Sequence, residues 1–142
     1  MILRYLRKAL SLRASSPPST LHFSASEFAS RGEPVPRKYW RDLQRLMDQL
    51  EVLREYLGGP SVKVTSGWRS KTHNDAVGSN DRSQHRKARA ADIKAVGYSP
   101  KEVADAIERL IAMGAMQQGG LGRYPRFTHY DVRRRRSRWG RN

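Results

Sequence analysis

The sequence predicts an α+β domain in which helices pack against a small antiparallel sheet. Three observations carry that expectation. Trp40, Leu43, Leu46, Met47, Leu50, Leu53 and Leu57 recur at i, i+3, i+4 and i+7, the spacing of one buried helical face. Val103, Ala106, Ile107, Leu110 and Ile111 repeat that spacing after a capping box, Ser99-Pro100-Lys101-Glu102. Segments at 61–66, 90–94 and 127–133 alternate or are rich in β-formers, as strands require. Helices first and then strands around a long helix is an α+β order.

Taken in order, residues 1–20 read as a basic segment and linker. Ile2, Leu3, Leu6 and Leu10 lie opposite Arg4, Arg7, Lys8 and Ser11, which suits either a short interfacial helix on an anionic membrane or a frayed basic end. The three cations interrupt the apolar run that a signal peptide needs, and no run reaches the ~18 residues of a membrane span. Ser15-Ser16-Pro17-Pro18-Ser19 is a linker. The folded domain is expected over residues 21–133. Ser24 and Glu27 form a capping box that opens a short helix, with Phe23 and Phe28 stapling it to the core and His22 a surface or packing residue. Pro36 stands where a first helical residue would, and Gly58-Gly59-Pro60 ends the long helix. Val62 and Val64 point inward from a strand that delivers Gly67-Trp68-Arg69-Ser70 to its end. Lys71 to Arg82 reads as a polar loop. Gly119-Gly120-Leu121-Gly122-Arg123-Tyr124 reads as a glycine-rich strand under a close approach, turned by Pro125-Arg126 into the strand that carries His129. It lacks the Lys-Ser/Thr of a phosphate loop. Residues 134–142 read as a basic, arginine-rich tail.

Charge is unevenly spread. The chain has 28 Lys and Arg against 13 Asp and Glu. Ten of the 28 fall in residues 1–13 and 133–142; removing them leaves 18 against 13 acids, so the middle is only mildly basic. There is no cysteine, hence no disulfide framework and no thiolate ligand; any metal must be held by His, Asp or Glu.

The chemistry-bearing stretch is Ser83-Gln84-His85-Arg86-Lys87-Ala88-Arg89-Ala90-Ala91-Asp92-Ile93. His85 and Asp92 are seven apart, which does not suit one helix face but suits a loop running into a strand. Ala90, Asp92 and Lys94 would share one strand face and Ala91 and Ile93 the other. A carboxylate among alanines is costly unless a cation meets it. A divalent ion held by His85 and Asp92 would do so, given a third ligand. His129 supplies it, and period two puts Asp131 and Arg133 on the same strand face. Two histidines and a carboxylate with an open position make a mononuclear zinc site of the catalytic kind.

Ser-x-His-x-x-x-x-Ala-x-Asp at 83–92, His-x-Asp-x-Arg at 129–133 and Ser66-Gly67-Trp68-Arg69-Ser70 together resemble the zinc D-alanyl-D-alanine peptidases of the Hedgehog/DD-peptidase superfamily. The likeness is closest to the small His-x-Asp branch of murein endopeptidases and phage enzymes, over about residues 21–139. It implies a zinc site on a sheet face, with His85, Asp92 and His129 as ligands. It also implies an arginine, Arg69, that contacts substrate and transition state. The implied substrate is the peptide stem of peptidoglycan, cut at a bond containing a D-amino acid by a carboxypeptidase or an endopeptidase, in the cell wall or periplasm. With no convincing signal peptide, a phage-encoded chain made in the host cytoplasm fits the same family. His73 is not expected as a ligand, since relatives use the two main-motif histidines. Asp131 is left as general base, fourth ligand or the partner that orients His129, because the Glu-x-Trp-His of related branches is missing. Ala88 and Gly78-Ser79 replace the Gly and Gly-Gly usual in relatives; Ala88 strains the loop only if its φ is positive.

Two rivals remain: a basic nucleic-acid binder, and a structural virion protein with an inactive peptidase fold. No helix-turn-helix, zinc-finger or RNA-binding sheet motif accompanies the charge, so no specific nucleic acid is expected. The basic ends are expected to contact anionic envelope or membrane, and a monomer is favoured.

Overall fold

The computed structural model describes residues 16–142. The amphipathic N-terminal stretch expected as an interfacial helix lies outside them. Among the described residues no helix is long and apolar enough to cross a membrane.

Among the described residues, three helices and five strands make an α+β domain. Helix α1 is Trp40–Tyr56, α2 is Lys71–Ala76 and α3 is Pro100–Ala112. Strands β1 (Val62–Ser66), β2 (Ala90–Ala95), β3 (Gly120–Arg123), β4 (Thr128–Asp131) and β5 (Ser137–Gly140) form one sheet in the order β1-β2-β4-β3-β5. The first four pair antiparallel; β5 runs parallel to β3. The expected antiparallel sheet is therefore mixed, and residues 134–142 are not simply a tail. Arg138 makes the difference. Its guanidinium takes Glu108 of α3 with two bonds of 3.0 and 2.9 Å, and it donates to the Gly119 carbonyl at 2.7 Å and Gln118 Oε1 at 2.7 Å. One half-buried arginine thus ties the last strand to the sheet edge and to a helix.

The helical stripe behaves as its spacing predicts. Leu43, Leu46, Met47, Leu50 and Leu53 of α1 are fully buried. They meet Val103, Ile107 and Leu110 of α3 and one face of the sheet, where Ile93, Leu121 and Tyr130 lie. Each such side chain contributes roughly 1.5–3 kcal/mol of burial, so this layer fixes the sheet. Helix α3 starts at the predicted box: Ser99 Oγ accepts from Glu102 N and Glu102 Oε1 accepts from Ser99 N. Ser24 and Glu27 cap a 3-10 turn, Ala25–Phe28, rather than an α-helix. Pro36 likewise precedes a 3-10 turn, Arg37–Tyr39, that feeds α1. The polar loop contains a helix that sequence reading misses: Ser70 Oγ accepts from His73 N and starts α2. Six residues with almost no apolar content give no periodic signal, so only the cap marked it.

Asp48, on α1, gives the fold a pH dependence. Burial, opposed by the 3.0 Å bond from Gln44 Nε2 and reinforced by the charge of Glu51, pushes its carboxyl up to about 6. The folded value lies above the unfolded one. The contribution to stability is therefore complete below the ordinary carboxylate range and is lost as pH rises through about 6. Asp48→Asn keeps an acceptor for Gln44. It is expected to stabilise at pH 7.5 by ~1 kcal/mol, after discounting for partial exposure, and to change little near pH 4. Thermal melts at the two pH values check this.

Candidate metal centre

Strand alternation gives the sheet two faces. The helices cover one; the other carries a single cross-strand row, Asp92 opposite His129, His129 opposite Gly122, and Gly122 opposite Trp139. His85 reaches that row from a 3-10 turn, Gln84–Lys87, which Ser83 caps by accepting from His85 N.

The turn is held from several sides. Arg69 N donates to the His85 carbonyl, Arg86 donates back to the Arg69 carbonyl at 2.8 Å, and Trp68 Nε1 donates to the Arg86 carbonyl at 3.1 Å. Gly67 is required where it stands, because a Cβ there would lie 2.6 Å from Phe28 Cα. Ala88 closes the turn at φ +56°, the left-handed region. The strain that a residue other than glycine meets in this region is therefore present, about 1–2 kcal/mol, partly offset by its buried methyl group.

His85, Asp92 and His129 are all buried, and one ligating atom from each lies within 4.8 Å of the others. Their outer hydrogen bonds decide which atoms face inward. His85 Nδ1 is 2.6 Å from the Gly67 carbonyl, which can only accept, so Nδ1 carries the proton and Nε2 turns its lone pair toward Asp92 Oδ1 at 3.4 Å. His129 Nε2 donates to Asp131 Oδ2 at 2.7 Å, leaving Nδ1 toward Asp92 Oδ1 at 3.0 Å. Two imidazole lone pairs and a carboxylate oxygen thus converge on one point. Only a cation satisfies all three. A proton does part of this: burial disfavours a charged His129, yet its bonds to Asp131 and Asp92 outweigh burial and raise its pKa. Asp92 is likewise desolvated, but the bond with His129 and the proximity of His85 hold it well below the usual carboxylate range. The donor set, two nitrogens and one oxygen, fits a divalent metal with an open position.

Asp131 does not fit the role of general base. It is completely buried and lies on the far side of the His129 ring from Asp92. Besides His129 it accepts from Gly120 N at 3.0 Å, Arg133 N at 3.1 Å, and Arg133 Nε and Nη2, both at 2.8 Å. Those donors overcome its desolvation and hold its pKa far below normal, which makes it a poor proton acceptor. Of the three roles the sequence leaves open, this geometry supports the partner that fixes the tautomer of His129. Gly120 makes room for it, since a Cβ there would meet the Asp131 carboxylate at 2.2 Å.

Arg69 stands at the rim, mostly buried, with one nitrogen 3.4 Å from Asp92 Oδ2 and Nε 3.2 Å from Ser66 Oγ. Burial lowers its pKa against the opposing charges of Asp92 and Tyr124, yet an arginine so placed stays cationic. His73, on α2, bonds Ser30 Oγ at 2.8 Å and is not in the ligand cluster. His22 packs against the buried Glu51, Nδ1 to Oε1 2.7 Å. Sequence reading missed Trp139 altogether as a site residue. Its ring lies 4.9 Å from that of His129, Arg133 covers it at 5.3 Å, and its Nε1 donates to Tyr124 at 2.8 Å. It seats on Gly122, where a Cβ would approach the indole to 2.5 Å. The glycine-rich strand was the available signal for that close approach.

The profile of the Peptidase M15 family matches residues 21–131. The chain belongs to the Peptidase M15 family. No curated protein matches it. M15 peptidases are metal-dependent, and in this one His85, Asp92 and His129 form a group able to hold the ion. The match ends at Asp131, so β5 and Trp139 complete the wall of the M15 centre from outside the matched range.

Proposed function

We propose that the chain is a zinc peptidase that hydrolyses a peptide bond containing a D-amino acid in the stem peptides of peptidoglycan, as a carboxypeptidase or endopeptidase. One observation carries the reading: His85 Nε2, Asp92 Oδ1 and His129 Nδ1 meet at one point with their tautomers already fixed. A two-histidine, one-carboxylate set suits zinc, and family membership supports hydrolysis of peptide bonds.

When bound, the ion supplies Lewis acidity, polarising the scissile carbonyl and acidifying water. The protein's own residues orient the ligands and place charge around the substrate. Asp131 and the Gly67 carbonyl hold the two rings in orientation, which limits the rotamer freedom to be lost on binding. Arg69 places a fixed positive charge beside Asp92, where it can pair with a substrate carboxylate or with charge growing on the carbonyl oxygen. Trp139 packs beside the His129 ring.

The test is digestion of purified sacculi with mass spectrometry of the released muropeptides. Expected are about one zinc per chain, turnover abolished by chelator and restored by zinc, and products cut at a D-amino-acid bond. Loss of terminal D-Ala would identify a carboxypeptidase, and cleaved cross-links an endopeptidase. Zinc-loaded protein that leaves muropeptides intact but cleaves ordinary L-peptides would sink the substrate assignment while sparing the metal site.

A further inference from the structure

A second cationic feature shares Arg133 with the surroundings of the metal centre and lies between the start of α1, the entry to β2 and the segment after β4. It is a groove of about 680 Å³ whose lining carries Arg41, Arg45, Arg89, Arg133 and Arg134 against one acid, Asp42. That acid is divided: Oδ1 takes Arg45 at 3.2 Å and Oδ2 takes Arg89 Nε at 3.1 Å. The second contact is off axis, leaving the buried Arg89 Nε without a hydrogen-bond acceptor. Arg133 is committed to Asp131. Arg41 and Arg134 have no ion pair among the described residues. The groove thus holds more positive charge than the fold neutralises, and its guanidiniums present planar forks suited to tetrahedral anions.

We propose that this groove binds a phosphodiester polymer that carries no bases, such as the polyol-phosphate chains of a cell envelope, and so anchors the protein independently of its active site. The volume accommodates several repeat units rather than one phosphate. No aromatic side chain lines it among the described residues, so it offers bases no stacking platform, which argues against single-stranded nucleic acid. The site is on the folded domain. Arg138, which sequence reading assigns to envelope contact, is meanwhile occupied by Glu108. This proposal stands whether or not the peptidase substrate is peptidoglycan.

The experiment measures binding of the full chain to fluorescent poly(glycerol phosphate) as a function of salt. Arg41→Glu with Arg134→Glu removes two unpaired cations outside the catalytic machinery. Lys63→Glu with Lys94→Glu makes the same change in net charge toward the other end of β2. The groove variant is expected to bind at least about tenfold more weakly and to lower the slope of log K against log salt by about two; the control should stay within about threefold of the parent. Zinc content should be unchanged in both. Equal losses in the two variants would reduce the effect to overall charge and overturn the site. Tighter binding of an oligothymidylate with the same number of phosphates would assign the groove to nucleic acid instead. Equal binding of polyglutamate would show that phosphate is not read. If the glutamates impair folding, the paired Gln variants repeat the test with half the charge change.

Discussion

Alanine at His85 or at His129 is expected to abolish stoichiometric zinc uptake and lower hydrolysis by at least about 10³-fold, or about 4 kcal/mol of transition-state stabilisation. Either change leaves one nitrogen and one carboxylate on the ion, too few to retain it in competition with water. His22→Ala is the control, because that ring is tied to Glu51 and Arg54 instead. The same geometry sets the pH response of the parent protein. The proton that bridges His129 and Asp92 occupies the position the ion needs, and His129 holds it more tightly than an ordinary histidine. Zinc binding must expel it. Affinity should therefore fall about tenfold per pH unit below the raised pKa of His129, and calorimetry in buffers of different ionisation enthalpy should register proton release. Full zinc content with full activity in either alanine variant would end the ligand assignment.

That His85, Asp92 and His129 come together as a group able to hold a metal was legible in the sequence, because metal chemistry admits few residue types and their spacings suit a loop-strand and a strand. The long helix and the capping box of α3 were legible for local reasons, since their signals lie within a turn or two. Three features were not. Strand β5 is written in Ser137-Arg138-Trp139-Gly140, inside an arginine run, and its pairing with β3 is parallel and depends on Arg138 finding Glu108. Trp139 joins the site only through that register, which no local pattern encodes. Helix α2 has too little apolar content to show periodicity. The role of Asp131 was undetermined for a different reason. Alternation places it on the face of His129, but base, ligand and orienting partner differ only in which ring nitrogen it reaches, and side-chain rotamers decide that.

Asp131→Asn separates those roles. In the parent, Oδ2 accepts from His129 Nε2 and Arg133, while Oδ1 accepts from Gly120 N, Arg133 N and Arg133 Nε. An asparagine can keep its oxygen on the side of the three donors, but its NH2 then faces His129 and one arm of Arg133. His129 Nε2 must become an acceptor, which moves the ring proton to Nδ1, the atom that should face the ion. Turning the amide over restores the tautomer only by setting NH2 against three donors. Either way the ion loses. Zinc affinity is expected to drop 10–100-fold, with activity recovering in excess zinc in proportion to occupancy. The metal-free variant should also lose roughly 2–3 kcal/mol, less than a wholly buried pair would cost because Arg133 is 29% exposed. For a domain of this size that is a melting temperature lower by roughly 10 °C. The depressed pKa of Asp131 fixes the sign of the pH dependence: the stabilisation is present above the ordinary carboxylate range and disappears as pH falls through the folded value, so the gap between parent and variant should close in acid. Zinc bound as tightly as in the parent, with turnover gone, would return Asp131 to the role of general base.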